Sequence, residues 1–68
     1  MAVSARNQLK GKVTEIVLGT VMAHITIQVG ENAIESVITR RSVHELNLKK
    51  GDSVTAVIKA TEVLVAKP

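Results

Sequence analysis

The stretch SARNQLKGKV, residues 4–13, carries a hydroxyl, a guanidinium, two carboxamides and two ammonium groups, and no acidic side chain. A carboxylate repels an anion, so a segment built from donors alone is suited to receive one. The plain alternative is a solvated entrance to a strand. A second place of the same character is Lys59-Ala60-Thr61, where a strand is predicted to end in an ammonium followed by a small residue and a hydroxyl. Taken singly, Lys59 reads as a solvated strand-end charge. Taken together, the two segments offer hydroxyl, ammonium and backbone N–H donors to one small anion, much as backbone nests do.

Other chemistries find little support. His24 and His44 are the only histidines, neither has an acidic or cysteine partner at metal-ligand spacing, and there is no Cys. His24 falls on a polar strand face and His44 on a short helix, and both read as surface or interface residues. The carboxylates are scattered singly, and no nucleophile elbow, P-loop or zinc-protease signature occurs. The chain is therefore not expected to be an enzyme, to hold a cofactor or to bind a bare metal cation. A nucleic-acid role needs aromatic platforms on which bases stack, and Phe, Tyr and Trp are all absent. Contact through Lys and Arg to the phosphate backbone alone, at a net charge of +3, would be weak and strongly salt-dependent. It ranks second, and a purely structural interaction domain third.

The elements that must position these donors are mostly strands. Over residues 21–29, VMAHITIQV, the odd positions from Val21 to Val29 are apolar, and Met22, His24, Thr26 and Gln28 share the other face. Before it, Leu9, Gly11 and Val13 alternate with Lys10, Lys12 and Thr14 and run into Ile16-Val17-Leu18, which predicts a long first strand that bends near Gly11. Gly19-Thr20 and Gly30-Glu31-Asn32 are turns, and a third strand covers 33–39. In SVHEL, Ser42 and Glu45 stand in the capping-box relation, which predicts a helix over 42–46 with Leu46 and Leu48 pointing inward. Strands over 53–59 and 62–66 complete the order β-β-β-α-β-β. That order predicts an all-β fold, a five-stranded Greek-key barrel of the OB type with its helix between strands 3 and 4, and an SH3-like barrel is the nearest alternative.

With 68 residues the chain is one domain that buries only about 60% of its unfolded surface, and it has no disulfide to supplement an aliphatic core. Apolar residues on both faces at Ile16-Val17-Leu18 and Val63-Leu64-Val65 predict a subunit interface. The N-terminus lacks a secretory apolar run, and no stretch is long enough to span a membrane, so the expected location is cytoplasmic and no membrane partner is expected.

SARNQLKGKV near the N-terminus, VITRRSVHELNLKKGDSVTAVIKATEV in the second half and a length near 70 together resemble the molbindins, small molybdate- and tungstate-binding proteins made of one Mop domain, here residues 1–68. The resemblance implies an OB-type barrel, a hexamer assembled as a trimer of dimers, oxyanion sites between subunits, and a role in intracellular storage or homeostasis of the oxyanion. Matched by position, it implies that Ser4, Ala5, Arg6, Asn7 and Gln8 bind the oxyanion together with Lys59, Ala60 and Thr61, and Ser36 less centrally. Many relatives carry Ser where this chain has Ala60, which removes one hydroxyl. Relatives often read T-S-I at Glu35-Ser36-Val37, and a Glu35 carboxylate facing the anion would oppose binding.

The donor chemistry suits such a ligand. Molybdate and tungstate are tetrahedral dianions whose every oxygen accepts. Hydrogen bonds to an ionised acceptor are about twice as strong as neutral ones, whereas a desolvated dianion short of donors is costly. A single strand cannot wrap a tetrahedron, so the first motif of one subunit and the Lys59 region of another are expected to supply a half each. Sulfate shares charge and shape and must be told apart by cavity size. Phosphate carries a proton near neutral pH that would meet no acceptor.

Overall fold

A computed structural model describes residues 2–68; Met1 lies outside them. The elements run β1 (Asn7–Leu18), β2 (Met22–Val29), β3 (Asn32–Thr39), α1 (Arg40–Glu45), β4 (Ser53–Ile58) and a 3₁₀ turn (Ala60–Glu62). All strand pairings are antiparallel, and the sheet order is β3-β2-β1-β4.

Alternation decides which face is dry. Ala23, Ile25 and Ile27 of β2 are buried with Val13 of β1, Val43 of α1 and Ala56 of β4, and Ile16, Val29, Ile34, Ile38, Leu48 and Val54 pack against them. The long β1 serves two partners. It pairs with β4 from Asn7 to Lys12 and with β2 from Lys12 onward, and its register slips between Val13 and Glu15. The irregularity thus lies around Thr14. Gly11 instead permits a close crossing. A Cβ there would run into the Gln28 carbonyl oxygen and sit 2.9 Å from the methyls of Ile27 and Val29, so β1 can approach β2 this closely only at a residue without a side chain. At Val13 the backbone groups turn to the α1–β4 connection, with Val13 N–H donating to the Asp52 carbonyl (2.9 Å) and Gly51 N–H to that of Val13 (2.7 Å).

The helix begins earlier than the capping-box reading places it. Thr39 is the N-cap, its hydroxyl accepting from Ser42 N–H at 3.0 Å, while Glu45 pairs with Arg41 one turn back. Ser42 occupies the third helical position, so the Ser-x-x-Glu spacing falls inside the helix. At the other end Asn47 takes a left-handed φ of 51°. Asn47 N–H donates to the His44 carbonyl and Leu48 N–H to that of Val43, the bonding of a Schellman termination. That motif brings its outer residue back over the last turn, which is why Leu48 joins Val43 in the core. Leu46, expected inside, is 66% exposed, and the buried residue of α1 is Val43.

The fifth strand expected over 62–66 does not form within this chain. After Ile58 the backbone makes the 3₁₀ turn, and residues 63–68 follow without regular structure, with Leu64 and Val65 93% and 94% exposed. The two outer strands, β3 and β4, accordingly stand as the walls of a groove of about 320 Å³. It is lined by Ile34, Ser36 and Ile38 on one side and Val54, Ala56 and Ile58 on the other. Val21, assigned by alternation to the inner face of the second strand, lies in the turn before β2 and is 69% exposed.

Candidate functional site

The two donor segments lie at opposite ends of the sequence, and the β1–β4 ladder brings them together. Its last pair is Asn7 with Ile58, so Ser4, Ala5 and Arg6 enter the same end of the ladder from which Lys59, Ala60 and Thr61 leave. The two halves were expected from two chains because a single strand cannot wrap a tetrahedron, and here the two segments also lie side by side within one chain.

Within the first segment the side chains divide into two kinds. The Asn7 carboxamide donates to the Ile58 carbonyl at 3.2 Å and the Gln8 carboxamide to that of Ala5 at 3.0 Å. Both amides thus hold the segment's own shape, one against the neighbouring strand and one across its local bend. Ser4 and Arg6 are exposed, and Ala5 between them is half-buried.

In the second segment, Lys59 caps the 3₁₀ turn with an extended backbone, φ −66° and ψ 137°. The turn's own bonds run from Glu62 N–H to the Lys59 carbonyl (2.9 Å) and from Val63 N–H to that of Ala60 (3.4 Å). The N–H groups of Ala60 and Thr61, at the start of the turn, have no acceptor inside it. Lys59 and Thr61 are exposed. The groups left to donate at this end therefore include the Ser4 and Thr61 hydroxyls, the Arg6 guanidinium, the Lys59 ammonium and the backbone N–H groups of Ala60 and Thr61. The sole carboxylate in either segment's vicinity along the chain is Glu62, in the turn itself.

Ser36 is not brought to this cluster. It sits on the inward face of β3, paired with Ile25, and looks into the apolar groove. Glu35, its neighbour, points to the opposite face, where its carboxylate meets His24 Nε2 and accepts from the Thr26 hydroxyl at 3.4 Å. Strand alternation thus keeps that negative charge off the groove side of β3. His24 is accounted for as half of a cross-strand pair, and His44 is exposed on α1. No group of His, Asp and Glu suited to a metal ion occurs among the described residues. None of their helices is long and apolar enough to cross a membrane. Reading the sequence missed the bracing role of Asn7 and Gln8. Their neighbours Leu9 and Ile58, each predicted to lie in a strand, carried the available hint that the carboxamides would find a ladder carbonyl.

A family model for the TOBE domain matches residues 3–65. The molybdenum-pterin-binding protein 1 of Clostridium pasteurianum is 47% identical over 66 residues, which is 96% of this chain and 97% of that protein. The chain belongs to the molbindin family. Structures agree with the sequences. The molybdate-binding protein from Sporomusa ovata superposes on this molbindin with a TM-score of 0.94 at 48% identity, covering 98% of this chain and all of that one (100%). The cytoplasmic molybdate-binding protein ModG, solved with molybdate bound, gives 0.82 at 44% identity over 88% of this chain and 43% of its own. The all-β fold with a single short helix is therefore the one these molbindin relatives share.

Proposed function

We propose that the protein binds molybdate or tungstate as an intact dianion at the Ser4–Arg6 and Lys59–Thr61 end of the β1–β4 ladder, and that it serves to store or buffer the oxyanion in the cytoplasm. The observation that carries this reading is the convergence of two donor segments at one ladder end. It occurs in a chain whose fold matches that of proteins named for binding molybdate. Ser4, Arg6, Lys59 and Thr61 supply side-chain donors, Ala60 contributes through its backbone, and Asn7 and Gln8 hold the geometry. Binding without catalysis suits a site built almost wholly of donors, with Glu62 its single nearby carboxylate. Nucleic acid is a poor fit, because the chain has no aromatic side chain on which bases could stack.

The working form is a homo-oligomer, most simply a hexamer built as a trimer of dimers, with the oxyanion between subunits. One chain leaves the donors exposed and open to solvent on one side, so a neighbour can complete the shell around a tetrahedron. The groove between the free edges of β3 and β4 supports assembly further. Val63-Leu64-Val65 is exposed and has the apolar character of the strand missing from it. Addition of this tail to the groove of a second copy would satisfy edge N–H and C=O groups and give the five-stranded OB-type barrel.

Titration calorimetry of the purified protein with molybdate, tungstate, sulfate and phosphate tests the function. Saturable heats with molybdate and tungstate, and far weaker ones with the other two anions, are expected. Equal heats for sulfate and molybdate would refute the reading.

A further inference from the structure

The outer face of the β1–β4 ladder continues away from the donor cluster with Lys10 opposite Thr55 and Lys12 opposite Ser53. These four side chains, with Gly11 and Val54, line a shallow depression of about 390 Å³. Both ammonium groups are exposed, and neither takes part in an ion pair among the described residues. Arg41 pairs with Glu45 and Arg40 donates to the Gly19 carbonyl, whereas Arg6 and Lys59 at the donor end are, like Lys10 and Lys12, without an ion-pair partner among the described residues. The chain has no Asp or Glu from Ala2 to Thr14. Among the acids, Glu15 follows the register slip on β1, Asp52 stands just ahead of β4 with its carboxylate accepting from Lys49 N–H at 2.8 Å, and Glu35 lies on the same sheet face two strands away, where it meets His24 and Thr26. A run of unpaired positive charge therefore leads along one sheet face to the end where the oxyanion donors converge.

We propose that Lys10 and Lys12 form an electrostatic approach track that concentrates dianions beside the ladder and guides them to the Lys59 end without touching the bound ion. This rests on the oxyanion reading of that end and adds to it the residues that govern capture. At a strand rise of about 3.4 Å per residue, Lys10 and Lys12 lie roughly 14 and 20 Å from the level of Arg6, too far for contact. A dianion at that range is attracted through water when the Debye length is about 30 Å, at roughly 0.01 M salt, and is screened when it is about 3 Å, at roughly 1 M. Long-range attraction of this kind raises the association rate and leaves dissociation unchanged.

The test compares the wild-type protein with Lys10→Gln/Lys12→Gln, Lys10→Glu/Lys12→Glu and Lys50→Gln. Molybdate affinity is measured by calorimetry at about 0.01 M and about 1 M ionic strength, and release of radiolabelled molybdate by rapid filtration. At low salt the double Gln variant should bind about two- to threefold more weakly, and the double Glu variant by about the square of that factor. At high salt all should match wild type, with release rates equal throughout. Lys50, in the turn past the far end of the strip, should matter much less. Unchanged affinity at low salt overturns the track alone. An equal loss in Lys50→Gln would reduce the effect to net charge. A loss that persists at high salt, or faster release, would make the lysines direct ligands. Wild-type protein that fails to bind molybdate at all removes the oxyanion reading and the track with it.

Discussion

Two kinds of polar residue share the donor end, and their substitution should separate them. Lys59 offers an ammonium with no ion-pair partner among the described residues, at the start of the 3₁₀ turn. Lys59→Ala should weaken oxyanion binding by about 1.5–3 kcal/mol, the range for a hydrogen bond to a charged group, and leave the oligomer intact. Ser4→Ala should cost less, since a neutral hydroxyl is the weaker donor. Calorimetry on both variants, with sedimentation velocity to confirm assembly, measures the difference, and unchanged affinity in Lys59→Ala would remove that residue from the site. Sequence made Ser4 visible because its segment lacks carboxylates, and Lys59 because an ammonium at a strand end is followed by the Thr61 hydroxyl. It could not show which carbonyl Asn7 holds, since that of Ile58 lies 51 residues away in the chain.

Elements translate those residues into a site, and β1 does most of this by pairing with β4 at its start and β2 at its end. The change of partner depends on close approach at Gly11. Gly11→Ala should destabilise the fold by about 1–3 kcal/mol, the typical cost of forcing a methyl into a filled interior, and lower the thermal midpoint with no change at the donor end's own residues. A melting temperature equal to wild type would mean that β2 can retreat from Gly11 at no cost. The strand pattern of β2 was legible because alternation places Ala23, Ile25 and Ile27 on one face whatever they pack against. The helix start was not, because Thr39 and Ser42 are both competent caps and the β3 ladder, which runs through Thr39, decided between them.

At the scale of the whole molecule, a sheet with two open edges, an apolar groove between them and an exposed apolar tail make the isolated chain incomplete. Removing residues 63–68 should shift the protein from oligomer to smaller species in sedimentation velocity, while the four-stranded sheet persists by circular dichroism. An unchanged sedimentation coefficient would sink the tail's role. Ligand and assembly should also be linked. If the anion binds only the assembled form, it stabilises that form by about 2.7 kcal/mol per site when free ligand is at 100 Kd. The melting temperature should then rise with added molybdate or tungstate, and dissociation on dilution should be suppressed. A monomer at every concentration that still binds molybdate tightly would place the whole site within one chain.

The residues themselves settled the donor-only chemistry, the aliphatic core and the all-β character, because charge, hydrophobicity and period-two alternation are local properties that a chain carries into any fold. The same locality explains the misreading of Val63-Leu64-Val65. Alternation says that a segment is fit to be a strand and says nothing about which edge, or whose, receives it. Only the tertiary structure decided that SARNQ and Lys59-Ala60-Thr61 meet in one chain, that Glu35 turns away from the groove, and that β3 and β4 remain unpaired on their outer sides. Each of these is fixed by register between strands distant in sequence, where a slip of one residue would send every side chain to the opposite face.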